Sequence, residues 1–242
     1  MAVEMSIQEY IRERSDRDGF ETAMFIYQSA LTQMGSRIEV LNSELNHMHS
    51  YNPIEYVKSR LKTPESIMKK LRKNGHNLNI EDMIEYVNDI AGIRITCSFF
   101  SEIYFVADMI ARQDNLEVIS IKDYISQPKE SGYKSYHMLL SIPVALGDAK
   151  VPTKVELQIR TMAMDFWASL EHKIYYKFEG DAPDYISRDL RECAEMVSTL
   201  DEKMLSLNEA IQECLEKQEE LNMSTKTKES NREDQRVLQG LD

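Results

Sequence analysis

The chain has 242 residues, of which 42% are hydrophobic and 29% are charged, and its formal net charge is −12. This composition supports a folded core and argues against a wholly disordered chain, while the acidic balance argues against generic coating of nucleic acid. An apolar run of about 18 residues is lacking, and the charged N-terminus has no apolar core, so we expect neither a membrane span nor a signal peptide.

Helices and strands alternate along the chain, as the spacing of apolar residues indicates. Apolar residues at steps of three and four predict a long first helix over residues 19–48, and Pro64 fits the first turn of a helix that ends near Lys73. Further helices are predicted over residues 81–88, 101–113, 161–178 and 184–221. Strands are predicted over residues 93–99, 116–121, 135–144 and 153–161, with a loop over residues 122–134.

The last predicted helix carries an apolar stripe with the three-and-four spacing that is typical of packing against another helix. The stripe consists of Ile186, Leu190, Cys193, Val197, Leu200, Met204, Leu207, Ile211 and Cys214. Together with the long first helix, it suggests self-association. Residues 223–242 are polar with little periodicity, and we expect a disordered tail there.

The predicted fold class is α+β, with a mixed sheet of four to five strands, surrounding helices, and long helices at both ends. We expect an N-terminal helical segment over residues 1–50, a central domain over residues 51–180 and a C-terminal oligomerisation helix over residues 181–222. The three cysteines occupy apolar positions without metal-binding spacing. They are interpreted as small core residues of a reduced, cytoplasmic protein.

The segment "KVELQIRT" (154–161) alternates strictly, with Val155, Leu157 and Ile159 pointing one way. The opposite face carries Lys154, Glu156, Gln158 and Arg160, and on the pattern alone this face could simply meet solvent. Arg94 and His137 lie on the polar faces of two other predicted strands. If these strands share a sheet, the polar groups converge on one concave wall, which favours a site.

Residues 58–73 hold five Lys and two Arg against one Glu, a local charge of 7 − 1 = +6 on an acidic chain. Such a positive segment suggests a focused binding site for a polyanion. A solvated helix face is the alternative interpretation, and the sequence does not decide between the two.

Several segments match a known family. "DIAGIR" (89–94), "GYKSYH" (132–137), "VELQIRT" (155–161) and "MDFWASLEHKIYYK" (164–177) resemble the synthetase domain of the RelA/SpoT alarmone enzymes. The short chain and "NPIEYVKSRLKTPESIMKKL" (52–71) resemble the stand-alone small alarmone synthetases. The resemblance implies a nucleotidyltransferase-like sheet that transfers pyrophosphate from ATP to the ribose 3′-hydroxyl of GDP or GTP, making (p)ppGpp for the stringent response.

The resemblance implies that Asp89 and Glu156 are the catalytic carboxylates and hold Mg²⁺, with Glu156 activating the 3′-hydroxyl. A carboxylate with a pKa of about 4.3 is a weak base for a ribose hydroxyl. It would therefore take the proton only as the new oxygen–phosphorus bond forms. The alternative for Asp89 is a cap of the turn before the strand, and the alternative for Glu156 is a surface residue.

For ATP, the resemblance implies that Arg60 and Arg94 sandwich the adenine, because a planar guanidinium stacks on a flat base. A salt bridge across the sheet is the alternative for Arg94. The same resemblance assigns the ATP phosphates to a group spaced for one helix face, Lys62, Ser66, Lys69 and Lys70.

For GDP or GTP, the resemblance implies that guanine stacks on Tyr133, for which an ordinary strand-edge tyrosine is the alternative. The 5′-phosphates and ribose of the acceptor are assigned to Lys122, Lys129, His137 and Gln158, with the loop closing as a lid. Asp165 is placed near the guanine edge, although an acid in a first helical turn is favoured by the helix dipole in any case.

The expected partners are ATP and GDP or GTP, a homotetramer of the chain, and (p)ppGpp or single-stranded RNA as allosteric ligands. Two rival functions stay open. One is pyrophosphorylation of a tRNA 3′ end by the same domain, and the other is a non-catalytic regulatory oligomer that binds RNA or nucleotide.

Overall fold

The computed structural model describes residues 3–12, 15–48, 51–176 and 183–239. Side chains are described throughout these ranges except at residues 175–176 and 219–239. The chain forms two compact units, residues 1–198 and residues 199–242. The sheet lies in the first unit, and the described part of the second unit belongs to the last helix.

The described ranges contain both helices and strands, in the order expected for an α+β protein. The helices are α1 Ile7–Ile11, α2 Asp16–Met48, α3 Pro64–Lys73, α4 Ile80–Tyr86, α5 Phe100–Ala111, α6 Met162–Tyr176 and α7 Asp184–Gln239. The strands are β1 Val3–Glu4, β2 Ile54–Leu61, β3 Ala91–Cys97, β4 Glu117–Asp123, β5 Tyr136–Leu146 and β6 Ala149–Thr161.

The strands form one mixed sheet in the order β2-β3-β6-β5-β4, and the two-residue β1 pairs with the beginning of β6. β3 and β6 run parallel, whereas β2, β4 and β5 pair antiparallel with their neighbours. The predicted α+β class and mixed sheet are confirmed. The sheet has six strands within the described ranges instead of four to five, because β1 and β2 were not predicted.

The apolar pattern of the sequence did not predict β2, because β2 is an edge strand. Five of its eight residues, Glu55 and the run from Val57 to Arg60, are exposed, so it lacks the apolar alternation of a half-buried strand. The sequence pattern predicted no element over residues 54–61 and treated residues 58–73 only as a positively charged segment. In the structure Lys62 follows the end of β2 and precedes α3, so it does not share a helix face with Ser66, which corrects the predicted spacing.

α2 covers one face of the sheet and buries its apolar side there. Its residues Ile26, Met34 and Ile38 are fully buried, as are Leu157 and Ile159 of β6. Each such side chain contributes roughly 1.5–3 kcal/mol by leaving water. Because alternate strand residues point to opposite faces, this packing directs the polar residues of β6 to the other face, beside α6.

α7 differs from its prediction in two ways. It continues to Gln239, through residues 223–239 where the sequence predicted a disordered tail. Its stripe is buried only near its beginning: Leu190 packs with Trp167, whereas Leu200, Leu207 and Ile211 are exposed. A period of three and four residues predicts an apolar face but cannot say what covers it.

The three cysteines also differ in burial. Cys97 of β3 is buried, and burial raises the pKa of its thiol to about 12. Cys193 and Cys214 of α7 are exposed, so the prediction of three core cysteines is wrong for these two. None of the helices in the described ranges has the length and apolar character needed to cross a bilayer.

Candidate active site

A line of polar residues crosses five strands of the sheet. The register places Lys58 opposite Arg94, Arg94 opposite Gln158, Gln158 opposite His137, and His137 opposite Lys122. Residues paired directly across a sheet point to the same face. The prediction that the polar faces of three strands form one wall is therefore confirmed by the register.

A cavity of about 490 Å³ opens beside this line. Its wall includes both predicted catalytic carboxylates, Asp89 from the turn before β3 and Glu156 from β6. The other charged or polar side chains on the wall are Lys58, Ser59, Arg60, Arg94, Gln158 and His172. Two carboxylates far apart in sequence thus face one space together with several cations, which a solvent-exposed sheet face would not require.

Asp89 lies between two ammonium groups. Lys62 Nζ donates to Asp89 Oδ2 at 2.7 Å, and Lys70 Nζ donates to Oδ1 at 2.6 Å. Burial raises the pKa of Asp89, but the hydrogen bonds from Lys62 and then Lys70 outweigh it, so the pKa lies below its ordinary value. Asp89 is therefore ionised at neutral pH, and α3 is tied to the turn that carries it.

Glu156 is held by its neighbours on the same sheet face. Gln158 Nε2 donates to Glu156 Oε2 at 2.8 Å, and His137 Nδ1 lies 3.7 Å from Oε1. Burial raises the pKa of Glu156, whereas the neighbouring His137 imidazole and the hydrogen bond from Gln158 lower it, and the result lies below the ordinary value. Glu156 is thus also an anion at neutral pH.

The donor set fits Mg²⁺. Mg²⁺ usually takes one or two protein carboxylates and completes its octahedron with water and substrate phosphates. Asp89 and Glu156 supply two ionised carboxylates, and the described residues contain no group of three or more His, Cys, Asp or Glu that could hold a metal alone.

Arg160 belongs to the predicted polar face, but the sequence did not predict its contacts. Its side chain is 5% exposed and all its nitrogens donate to neighbours. Nη2 donates to Tyr133 Oη at 2.6 Å and to Gln158 Oε1 at 2.7 Å, and Nε donates to Ser135 Oγ at 3.2 Å. Nη1 donates to Asp165 Oδ1 at 3.2 Å. The alternation placed Arg160 on the polar face, but these contacts with Tyr133, Ser135 and Asp165 are tertiary and do not follow from it.

Asp165 is buried within protein contacts. Its Oδ1 accepts from Arg94 Nη1 at 3.0 Å as well as from Arg160, and its Oδ2 accepts from Tyr56 Oη at 3.2 Å. A guanine base would have to displace these donors to reach the carboxylate. Arg94 thus forms a salt bridge to helix α6, not the bridge across the sheet that was the alternative to adenine stacking, and its guanidinium still lines the cavity.

Tyr133 stands in a cluster of cations and rings. Its Oη lies 2.9 Å from His137 Nε2, and Lys129 Nζ lies 4.7 Å from its ring centroid. The ring also packs against the apolar cluster around Trp167 of α6. Tyr133, Lys129 and His137 are thus brought together as predicted, at the end of the sheet next to Gln158.

Nine of the fourteen predicted site residues do not line the cavity, namely Lys62, Ser66, Lys69, Lys70, Lys122, Lys129, Tyr133, His137 and Asp165. Ser66 and Lys69 lie exposed on α3, where Ser66 Oγ accepts from Thr63 Oγ1 at 3.0 Å. Lys122 is exposed on the edge strand β4, at the far end of the line that includes His137. Arg60 does line the cavity, from β2 opposite Gly92.

Comparison with known proteins identifies the family. Residues 59–181 match the family model described as a region found in RelA/SpoT proteins. The GTP pyrophosphokinase YwaC of Bacillus subtilis is 42% identical over 194 residues, which cover 80% of this chain and 92% of that protein.

Solved structures agree with the sequence match. Small alarmone synthetase 1 of Bacillus subtilis bound to its product pppGpp superimposes with a TM-score of 0.75 at 31% identity, covering 80% of this chain and 98% of the other. The same synthetase bound to AMPCPP gives a TM-score of 0.68 at 28% identity, covering 80% and 99%. The chain therefore belongs to the RelA/SpoT family of GTP pyrophosphokinases, among the small alarmone synthetases.

Proposed function

We propose that this chain transfers the β,γ-pyrophosphoryl group of ATP to the ribose 3′-hydroxyl of GDP or GTP, releasing AMP and forming ppGpp or pppGpp. The observation that carries the proposal is that Asp89 and Glu156 face one cavity whose wall also holds Arg60 and Arg94. The name of the relative YwaC and the bound pppGpp and AMPCPP of the similar synthetase support both nucleotide classes.

Asp89 and Glu156 are the proposed ligands of Mg²⁺, which when bound would neutralise charge on the transferring phosphates. Lys62 and Lys70 already contact Asp89, so a short movement would bring their ammonium groups to the triphosphate. Ser66 and Lys69 would reach the phosphates from α3. Arg60 and Arg94, on the paired strands β2 and β3, would enclose the adenine.

The acceptor nucleotide would lie on the other side of Glu156. Guanine would stack on Tyr133, and Lys122, Lys129 and His137 would contact the 5′-phosphates. Gln158, which bonds to Glu156, would orient the ribose. Asp165 would act near the guanine edge only if it released its present donors. Its bonds to Arg94 and Arg160 favour a role in holding those two arginines.

Glu156 is the proposed general base for the 3′-hydroxyl. Its lowered pKa keeps it deprotonated at neutral pH but makes it a weak base. It would therefore accept the proton only in the transition state, as the oxygen–phosphorus bond forms. His137 and Gln158 hold the carboxylate in place for this transfer.

A homotetramer in the cytoplasm is the proposed state of the enzyme. The exposed apolar residues Leu200, Met204, Leu207 and Ile211 of α7 support assembly, because they repeat at the spacing of a helix-pairing seam. Allosteric binding of (p)ppGpp or single-stranded RNA remains a prediction, for which a binding titration with each ligand is the test.

The test is transfer of radiolabel from γ-labelled ATP with Mg²⁺ and either GDP or GTP, with products resolved by ion exchange. The proposal requires label in a new guanosine nucleotide and release of AMP, both lost in Glu156→Gln. Label in added tRNA would select the rival transfer to a tRNA 3′ end. Nucleotide or RNA binding without transfer would select the regulatory oligomer.

A further inference from the structure

Lys154 makes a set of contacts that the reaction described above does not use. It lies on β6 two residues before Glu156 and points to the same sheet face. Its Nζ donates to the backbone carbonyls of Ile84 and Glu85 at 3.2 and 3.0 Å, and to Asn88 Oδ1 at 3.1 Å. An ammonium has three donors, so these acceptors use all of its capacity.

The three acceptors lie in the segment that directly precedes Asp89 in the chain. Ile84 and Glu85 belong to the last turn of α4, whose carbonyls have no partner within the helix. A positive charge at this end also suits the helix dipole. Asn88 directly precedes Asp89. Lys154 therefore joins the segment that delivers one catalytic carboxylate to the strand that carries the other.

The other anchors of Asp89 are Lys62 and Lys70, which are the proposed phosphate contacts. When ATP takes these two cations, Asp89 loses its present hydrogen bonds. Lys154 lies outside the cavity wall and does not compete for the nucleotide. Its contacts can therefore persist through substrate binding and keep Asp89 at its place relative to Glu156.

We propose that Lys154 is a positioning residue that fixes the Asp89 turn against the Glu156 strand for metal-assisted transfer. The inference rests on the proposed function, since it concerns the same two carboxylates. Outer partners of metal-binding groups typically affect metal affinity or activity by 10–100-fold. The effect should therefore appear in kcat and in the Mg²⁺ requirement, and not in the KM for GDP.

The experiment compares Lys154→Met, Lys154→Arg and Asn88→Ala with a matched control, Lys150→Met. Lys150 lies on the same strand and face but is exposed. Lys154→Met should lower kcat about tenfold or more and raise the Mg²⁺ concentration for half-maximal rate. The KM for GDP should stay within about twofold, because the acceptor side is untouched. Lys154→Arg should recover part of the loss, since a guanidinium can still donate to the carbonyls.

Hydrogen–deuterium exchange of the nucleotide-free protein gives a readout that does not depend on activity. Lys154→Met should speed exchange in residues 84–90, while β3 and β6 stay protected. The double variant Lys154→Met/Asn88→Ala should exchange little faster in residues 84–90 than Lys154→Met alone, because the two side chains belong to one contact. Faster exchange throughout the sheet would mean a purely structural role and would overturn the proposal, as would unchanged kcat and Mg²⁺ dependence. An inactive wild-type chain would instead refute the proposed function itself.

Discussion

Arg94 and Asp165 form an ion pair, with 3.0 Å between Nη1 and Oδ1, that joins β3 to the first turns of α6 beside the cavity. Arg160 shares the same carboxylate oxygen from β6 at 3.2 Å. The carboxylate thus holds together one arginine on the proposed ATP side and one that contacts Tyr133 and Gln158 on the proposed GDP side. The two proposed nucleotide positions are linked through a single buried acid.

Asp165→Asn is expected to destabilise the fold markedly. Removing one partner of a buried ion pair leaves the other charge uncompensated, which lowers the free energy of unfolding by about 3–5 kcal/mol. Asparagine keeps the shape, so we expect a loss of about 1–3 kcal/mol in the free energy of unfolding, measured with urea. Asp189→Asn is the control, because its pair with Arg188 is exposed and should change stability by about 0.5 kcal/mol or less. Equal effects of the two variants would contradict this prediction.

Tyr133→Leu is expected to weaken binding of the acceptor nucleotide. Stacking of a base on an aromatic ring is worth about 1–3 kcal/mol, so the KM for GDP should rise about tenfold while the KM for ATP stays unchanged. Tyr133→Phe keeps the ring but loses the hydroxyl that Arg160 and His137 contact. It should have a smaller effect on the GDP KM than Tyr133→Leu; a larger effect would assign the tyrosine to the hydrogen-bond network alone.

The stability of the protein should depend on pH through Asp89. The folded state lowers the pKa of Asp89, with hydrogen bonds from Lys62 and Lys70 outweighing burial. The ionised group therefore stabilises the fold fully above the unfolded-state pKa of about 3.9, and this contribution is lost as pH falls through the lower folded-state pKa.

The measurement is the difference in free energy of unfolding between wild type and Asp89→Asn from pH 7 down to acid. We expect a difference that is constant near neutral pH and shrinks only at acid pH. Asp114→Asn, at an exposed position, should show little difference at any pH. If the difference in free energy of unfolding between wild type and Asp89→Asn grows toward acid pH, the result contradicts this prediction.

Leu207→Glu is expected to disrupt assembly. Leu207 lies in the exposed apolar stripe of α7, where a charge would have to be buried in a helix–helix contact. Sedimentation equilibrium should show a smaller assembly than the homotetramer proposed for the wild type. Glu209→Lys changes an exposed charged residue on the opposite side of the same helix and should leave the mass unchanged. If Leu207→Glu keeps the wild-type mass, the stripe does not mediate assembly.

Strand alternation predicted the polar face of the sheet from sequence. Val155, Leu157 and Ile159 face α2 because they are apolar, so Glu156 and Gln158 had to face the other side. Strand register cannot be derived from alternation, and only the structure places Arg94 opposite Gln158 and Gln158 opposite His137.

Other features depended on tertiary contacts that a local pattern does not contain. β2 has too few apolar residues to be recognised as a strand, because its only strand neighbour in the described sheet is β3 and most of its side chains meet solvent or the cavity. Strand alternation placed Arg160 and Lys154 on the polar face but could not predict their partners. Arg160 donates to Ser135 and Tyr133, which lie 25 and 27 residues away along the chain. Lys154 donates to the carbonyl of Ile84 in α4, 70 residues away.

The central claim is that Asp89 and Glu156 act together on two nucleotides in one cavity. The most direct test measures two quantities for Glu156→Gln, its turnover number and its dissociation constant for ATP. Removing a general base typically lowers kcat by about 10²–10⁴-fold. The account predicts a fall of that size in ppGpp formation from ATP and GDP, with an ATP dissociation constant within a few fold of wild type. A Glu156→Gln enzyme with wild-type turnover would contradict it.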